Sequence, residues 1–152
     1  MVRLNLGSGD KVIEGYENLD GAEGDEIYPL AYSQVDVIRA SHILEHFGRI
    51  ESVEVLRDWV SSLKDGGLIK IAVPDFPVLL DMCTTHPVVA ENMEAFIMGG
   101  QIDGRDYHKS IWDRNKLSAI MGEIGLKDIK EWTSEIDDCA SYPFSLNLQG
   151  RK

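Results

Sequence analysis

Short apolar runs that stop at glycine, acid or proline alternate along this chain with longer stretches whose apolar residues recur every three or four positions. The first kind predicts buried strands and the second amphipathic helices. Val2–Leu6 ("VRLNL") halts at "GSGD", which predicts a strand ending in a glycine turn. "YENLD" is a second short strand closing on Asp20, and Glu26–Leu30 is a candidate third. "VDVIRA", Val35–Ala40, is β-branched and apolar except at Asp36 and Arg39. From Ile50 to Leu63, Val53, Leu56, Trp59, Val60 and Leu63 keep helical spacing, and Lys64 followed by Gly66 and Gly67 reads as a helix C-terminus. "LIKIAV" then predicts a strand cut off at Pro74.

Two further helices are predicted, one through "PVLLDMC" and one over Val88–Met98, started by Pro87 and stopped by Gly99-Gly100. Asp113 is placed to N-cap a helix over Arg114–Ile124, with Leu117, Ile120, Met121 and Ile124 as its apolar stripe. "DIKEWT" and "FSLNLQ" finish the chain, and the strict alternation of the latter predicts a half-exposed antiparallel edge strand. Strands alternating with helices predict an α/β sheet with helices on both faces, residues 1–152 forming one domain.

Charge narrows the partners. Acidic residues outnumber basic ones 26 to 15, giving a net charge of −11, and no basic patch offsets it, so no nucleic-acid partner is expected. No run approaches the ~18 apolar residues of a membrane span, and "MVRLNL" lacks a charged-then-apolar leader, so the expectation is a cytoplasmic protein without membrane association. Cys83 and Cys139 are too few for a disulfide framework and lack metal-ligand spacing.

The chemistry collects at one end of the strands. The first ends in Gly7-Ser8-Gly9, the second in Asp20, "VDVIRA" in Ser41-His42, and "LIKIAV" in Pro74-Asp75. Ligands of open parallel sheets bind beyond the carboxyl ends of strands. Glycines 7 and 9 permit close backbone approach and could turn N–H groups toward an anion, while an acid closing the next strand can accept from both hydroxyls of a ribose. An adenosine-containing cofactor fits this better than a dinucleotide, because the six residues Asp10–Gly15 are too few for the helix that would carry a pyrophosphate. "ASHILEHF" places His42, Glu45 and His46 at the spacing of an H-x-x-E-H zinc motif. The readings rank as helix-start packing for Glu45 and His46, then acid–base or substrate contact by His42, then zinc, whose third ligand would come from Glu91, Glu94 or His108.

Taken in order, "LNLGSGD", "YENLD", "ASHILEHF" and "LKDGGLIKIAVPDF" resemble the motifs of class I S-adenosylmethionine-dependent methyltransferases, most closely the small bacterial and phage branch in which leucine-glutamate-histidine follows strand four. The resemblance extends through "YHKSIWDRNKLSAIMGEIGL" to the final strand. It implies a Rossmann-like, mostly parallel sheet of seven strands in the order 3-2-1-4-5-7-6, strand seven antiparallel. It further implies S-adenosylmethionine as cofactor, with the Gly7-Ser8-Gly9 turn against the methionine moiety, Asp20 on the ribose, Tyr28 and Leu30 beside the adenine, and Ser41 and His42 facing the methyl group. Two features depart from the pattern: Lys11 stands at the third glycine, and the helix between the first two strands is reduced to a loop. Helices that cover the substrate in larger relatives are also missing.

Methyl transfer to a nitrogen or oxygen also requires loss of a proton, for which His42 and His108, in the loop "DYHKSIW", are the candidates. The expected function is methylation of a small-molecule or sugar-like acceptor. The alternatives are a non-catalytic S-adenosylmethionine-binding or regulatory module, and a zinc hydrolase built on His42, Glu45 and His46.

Overall fold

The computed structural model describes residues 1–152. Arg3–Leu6 (β1) lies between Glu17–Leu19 (β2) and Val35–Ser41 (β3), parallel to both, and β3 pairs in parallel with Leu63–Pro74 (β4). Lys127–Glu131 (β5) and Ser145–Arg151 (β6) complete one six-stranded sheet in the order β2-β1-β3-β4-β6-β5, in which β6 runs antiparallel to β4 and β5. "FSLNLQ" is therefore antiparallel as its alternation predicts, but it is an interior strand with one apolar face rather than an edge.

Six strands form where seven were expected. The segment Glu26–Leu30 is irregular because its main-chain groups bond to side chains instead of a neighbouring strand: Leu30 N–H donates to Asp58 Oδ2 at 2.8 Å, Trp59 Nε1–H donates to the Ile27 carbonyl at 2.7 Å, and Pro29 has no N–H to offer a ladder. Both partners lie on Glu51–Ser62 (α1), so the helix takes up bonds an edge strand would have made. No helix forms between β1 and β2 either. Asn18 pins that connection, accepting from Ile13 N–H and from Asn5 Nδ2 and donating to the carbonyls of Ile13 and Tyr16.

The register sorts the sheet into two unlike faces. On one, Leu4, Ile38 and Ile69 align, as do Leu6, Ala40, Ile71 and Leu148. This face packs against Val55, Leu56, Trp59 and Val60 of α1 and against Leu117 and Met121 of Arg114–Glu123 (α5) in a single core. Each such side chain contributes on the order of 1.5–3 kcal/mol on burial. Asp113 caps α5 as its sequence predicts, its Oδ1 accepting from Lys116 N–H at 2.9 Å. α1 ends at Ser62, one residue before the predicted stop, because Leu63 already pairs with Val35.

On the opposite face one register row reads Asn18, Asn5, Arg39, Lys70, Gln149, Lys130, all polar. No apolar helix could pack there. The segment after β5 closes it instead: the Trp132 ring lies 5.4 Å from both Arg39 Cζ and Lys70 Nζ, with Ala72 and Ala140 beneath it. The predicted helices on both faces are thus corrected to α1 and α5 on one face and a polar row under an irregular segment on the other. Phe76–Thr85 (α2), Pro87–Glu91 (α3) and Met93–Met98 (α4) gather around Leu79, Val89 and Phe144 beyond the end of β4. The single helix predicted over Val88–Met98 is divided at Asn92, whose Nδ2 bonds back to the Val88 carbonyl. No helix is long and apolar enough to cross a membrane.

Candidate functional site

A cavity of about 720 Å³ opens at the carboxyl ends of β1, β2 and β3. Gly7 and Gly9 form its floor and Asp20, following β2, its side. Gly7 and Ser8 both donate their N–H groups to the Leu19 carbonyl, at 2.8 and 3.1 Å, so these two amides shape the turn rather than meet a ligand. Gly7 and Gly9 have φ of +66° and +51°, and a Cβ on Gly7 would lie 2.8 Å from Ile43 Cγ1. A Cβ on Gly9 would meet only Asp20 Oδ2, at 4.0 Å. Asp20 Oδ1 accepts from Ala22 N–H at 2.9 Å, which fixes the carboxylate and leaves Oδ2 beside the glycine floor.

The loop 102–109 roofs the cavity. Arg105 reaches across it, Nη1 donating to the Gly21 carbonyl and Nη2 to Asp103 Oδ2. Six carboxylates line the walls, those of Asp20, Asp25, Glu26, Glu51, Asp103 and Asp106, against the cations of Arg105 and Lys109. Such an excess of one sign in a cleft favours a positively charged ligand. The sequence places the loop "DYHKSIW" over this crevice but gives no sign of Arg105, because nothing in the spacing of "IDGRDYHK" brings it to Gly21, 84 positions away.

Of the expected cofactor residues, Gly7, Gly9, Asp20 and Tyr28 line the cavity. Ser8, Leu30 and Ser41 do not. Ser8 and Leu30 are buried beneath it, and Ser41 Oγ bonds Asp138 Oδ2 at 2.7 Å. His42 also stands outside the lining. Its ring nitrogen Nε2 lies 2.8 Å from Ser145 Oγ, the Ser145 hydroxyl donates to Asn147 Oδ1, and Asn147 Nδ2 donates to the Ala140 carbonyl. That order of donors leaves Ser145 as acceptor, so His42 Nε2 carries a proton. Its other nitrogen faces Glu45. Both differ from the arrangement expected of a general base facing the methyl group.

His46, assigned by sequence to packing past the site, lines the cavity instead. The reason is local backbone. His42 has φ of +51° and only Leu44–His46 are helical, as a single 3-10 turn, so the segment is not the regular helix that an H-x-x-E-H zinc motif requires. His42, Glu45 and His46 accordingly do not converge as a triad. Glu45, His46 and His108 do: their potential ligand atoms all lie within 4.8 Å of one another. His108 belongs to a neighbouring recess with Arg49, Ile97 and Lys116, and its ring meets the His46 ring edge-on at 4.9 Å between centroids. Glu91 and Glu94, the other sequence candidates, take no part.

Glu45 is 1% exposed. Burial pushes its carboxyl up, but the close His42 ring and the more distant His46 and His108 outweigh that and hold it below the usual carboxylate range. Burial pushes the His108 imidazole down against the opposing pull of Glu45.

No family model matches the sequence and no curated protein is significantly similar to it. Solved structures do match. A methyltransferase dependent on S-adenosylmethionine from Archaeoglobus fulgidus superposes with a TM-score of 0.58 at 16% identity, over 99% of this chain and 85% of that one. An O-methyltransferase family protein from Burkholderia thailandensis gives 0.55 at 15% identity over 90% of this chain and 36% of its own. A possible exported protein of Bordetella parapertussis gives 0.63 at 13% identity over 99% and 61%. This chain thus spans less than two thirds of the latter two. The fold is that of the class I S-adenosylmethionine-dependent methyltransferases, with the third strand of the usual seven absent.

Proposed function

We propose that the protein is a methyltransferase that binds S-adenosylmethionine in the 720 Å³ cavity and methylates a small molecule, sugar-like acceptors included. The observation that carries this reading is Asp20 Oδ2, held beside the Gly7-Ser8-Gly9 turn at the end of the adjacent strand, where the carboxylate would accept hydrogen bonds from the two hydroxyls of a ribose. Tyr28 and Ile27 would border the adenine, and the six wall carboxylates suit a ligand bearing a sulfonium and an ammonium. When bound, S-adenosylmethionine supplies an electrophilic methyl group whose leaving group departs neutral.

The work left to the chain is alignment and exclusion of water. The 102–109 roof, tied to Gly21 by Arg105, closes the acceptor side. Proton removal from an acceptor does not fall to His42, which lies outside the cavity with Nε2 committed to Ser145. The test is incubation with S-adenosylmethionine and pooled hydroxyl- and amine-bearing acceptors, following S-adenosylhomocysteine release by mass spectrometry. Release only with an acceptor present supports the enzyme. Stoichiometric donor binding with no release from any pool would support the non-catalytic module instead.

A further inference from the structure

We propose that Glu45, His46 and His108 form a three-ligand site for a divalent transition metal of the zinc type. The donor set, one carboxylate oxygen and two imidazole nitrogens, is among those that bind zinc with a coordination position left open. The three ligand atoms lie within 4.8 Å of one another, and tetrahedral zinc with bonds of about 2.0–2.1 Å needs separations of roughly 3.3 Å, so the ligands would have to draw together on binding.

The backbone builds this arrangement. The Glu45 carbonyl accepts from the N–H groups of both Lys109 and Ser110, at 2.8 and 3.1 Å, which clamps the loop bearing His108 against the turn bearing Glu45 and His46. His46 Nδ1 lies 3.0 Å from the Arg105 carbonyl, an atom that can only accept, so Nδ1 holds the proton and Nε2 keeps a lone pair. Imidazoles that ligate metals are oriented in this way by a backbone carbonyl on the outer nitrogen.

Glu45 supplies an independent observation. It is 1% exposed, yet neither carboxylate oxygen has a hydrogen-bond partner. A buried carboxylate with no hydrogen bond, and only the His42 ring within ion-pair range, is costly, and a bound cation relieves that cost. His42 Nδ1 stands 3.3 Å from Glu45 Oε1, within ion-pair range but without hydrogen-bond geometry. This makes His42 a positioning residue for Glu45 and accounts for the third member of the "HILEH" segment.

His46 also lines the main cavity, so an open coordination position there would serve an acceptor oxygen. That consequence rests on the methyl-transfer reading, whereas metal binding itself does not. The two are separable because the metal is titrated with no methyl donor present.

The experiment uses chelator-stripped protein comprising residues 1–152, titrated with Zn²⁺ by calorimetry and with Co²⁺ by visible absorption, folding of each variant being checked by circular dichroism. The expected result is one equivalent of metal, with Co²⁺ bands of a four- or five-coordinate site. His46→Ala and His108→Ala, both at partly exposed positions, should each weaken binding at least 100-fold. His42→Ala should weaken it about 10- to 100-fold, the range for an outer-shell partner, without abolishing the Co²⁺ bands. His86→Ala, at the exposed fourth histidine, should change nothing. Absence of stoichiometric binding in the wild type, or binding that survives both His46→Ala and His108→Ala, would overturn the site.

Discussion

Arg39 Nη2 stands 2.6 Å from Asp138 Oδ2, with side chains only 2% and 5% exposed, and ties β3 to a residue 99 positions later in the chain. Asp138 also accepts from the hydroxyls of Ser41 and Ser134. Burial pushes its carboxyl up, and these three partners outweigh burial and hold it below the usual carboxylate range. The pair closes the polar face of the sheet where an apolar helix cannot pack.

Acid stability should report this pair. A carboxyl depressed in the folded state adds stability above its unfolded value of about 3.9, and that stability is lost as pH falls through the lower folded value. Asp138→Asn should destabilise the protein at pH 7 by less than the roughly 3–5 kcal/mol of a fully unpaired buried charge, because Glu135 Oε2 remains 3.9 Å from Arg39 Nε, and should flatten the acid limb of the stability curve. Urea unfolding at stepped pH measures both. An acid limb as steep in the variant as in the parent would contradict the assignment.

The two glycines of the cavity floor should respond differently. Gly7→Ala carries a left-handed backbone penalty of about 1–2 kcal/mol and also drives a Cβ into Ile43, so the loss of stability should exceed that of Gly9→Ala. Adding Ile43→Ala to Gly7→Ala should relieve the steric part only. Gly9→Ala, whose Cβ would stand in the cavity near Asp20, should lower donor affinity more than stability. Equal unfolding midpoints for the two single variants would count against the geometry.

With a net charge of −11 and an acidic cavity, the chain should show no appreciable affinity for duplex DNA or RNA at physiological salt. Fluorescence anisotropy with a random labelled duplex checks this, and a micromolar dissociation constant would refute it.

Much of the fold was legible in local pattern. The helical spacing of Val53 to Leu63, the Asp113 cap and the alternation in "FSLNLQ" each rest on interactions within a few residues, and each formed. What escaped were long-range exchanges. The irregular Glu26–Leu30 segment depends on Asp58 and Trp59, and the helix-free face depends on a register that lines up Asn5, Arg39, Lys70 and Gln149 from four strands. Arg39 in an otherwise apolar strand was the available hint of a buried partner, but nothing local points to Asp138. The site divides in the same way. Gly7, Gly9 and Asp20 follow from strand ends, whereas the exchange of His42 for His46 at the cavity wall depends on the left-handed backbone at residue 42.

Calorimetric titration of the parent protein and Asp20→Ala with S-adenosylhomocysteine tests the central claim most directly. One equivalent should bind the parent and raise its melting temperature, as a ligand selective for the folded state must. Asp20→Ala should weaken binding by about 1.5–3 kcal/mol, the range for hydrogen bonds to a charged group, and remain folded. Absence of binding to the parent, or unchanged affinity in the folded variant, would contradict the assignment of this cavity.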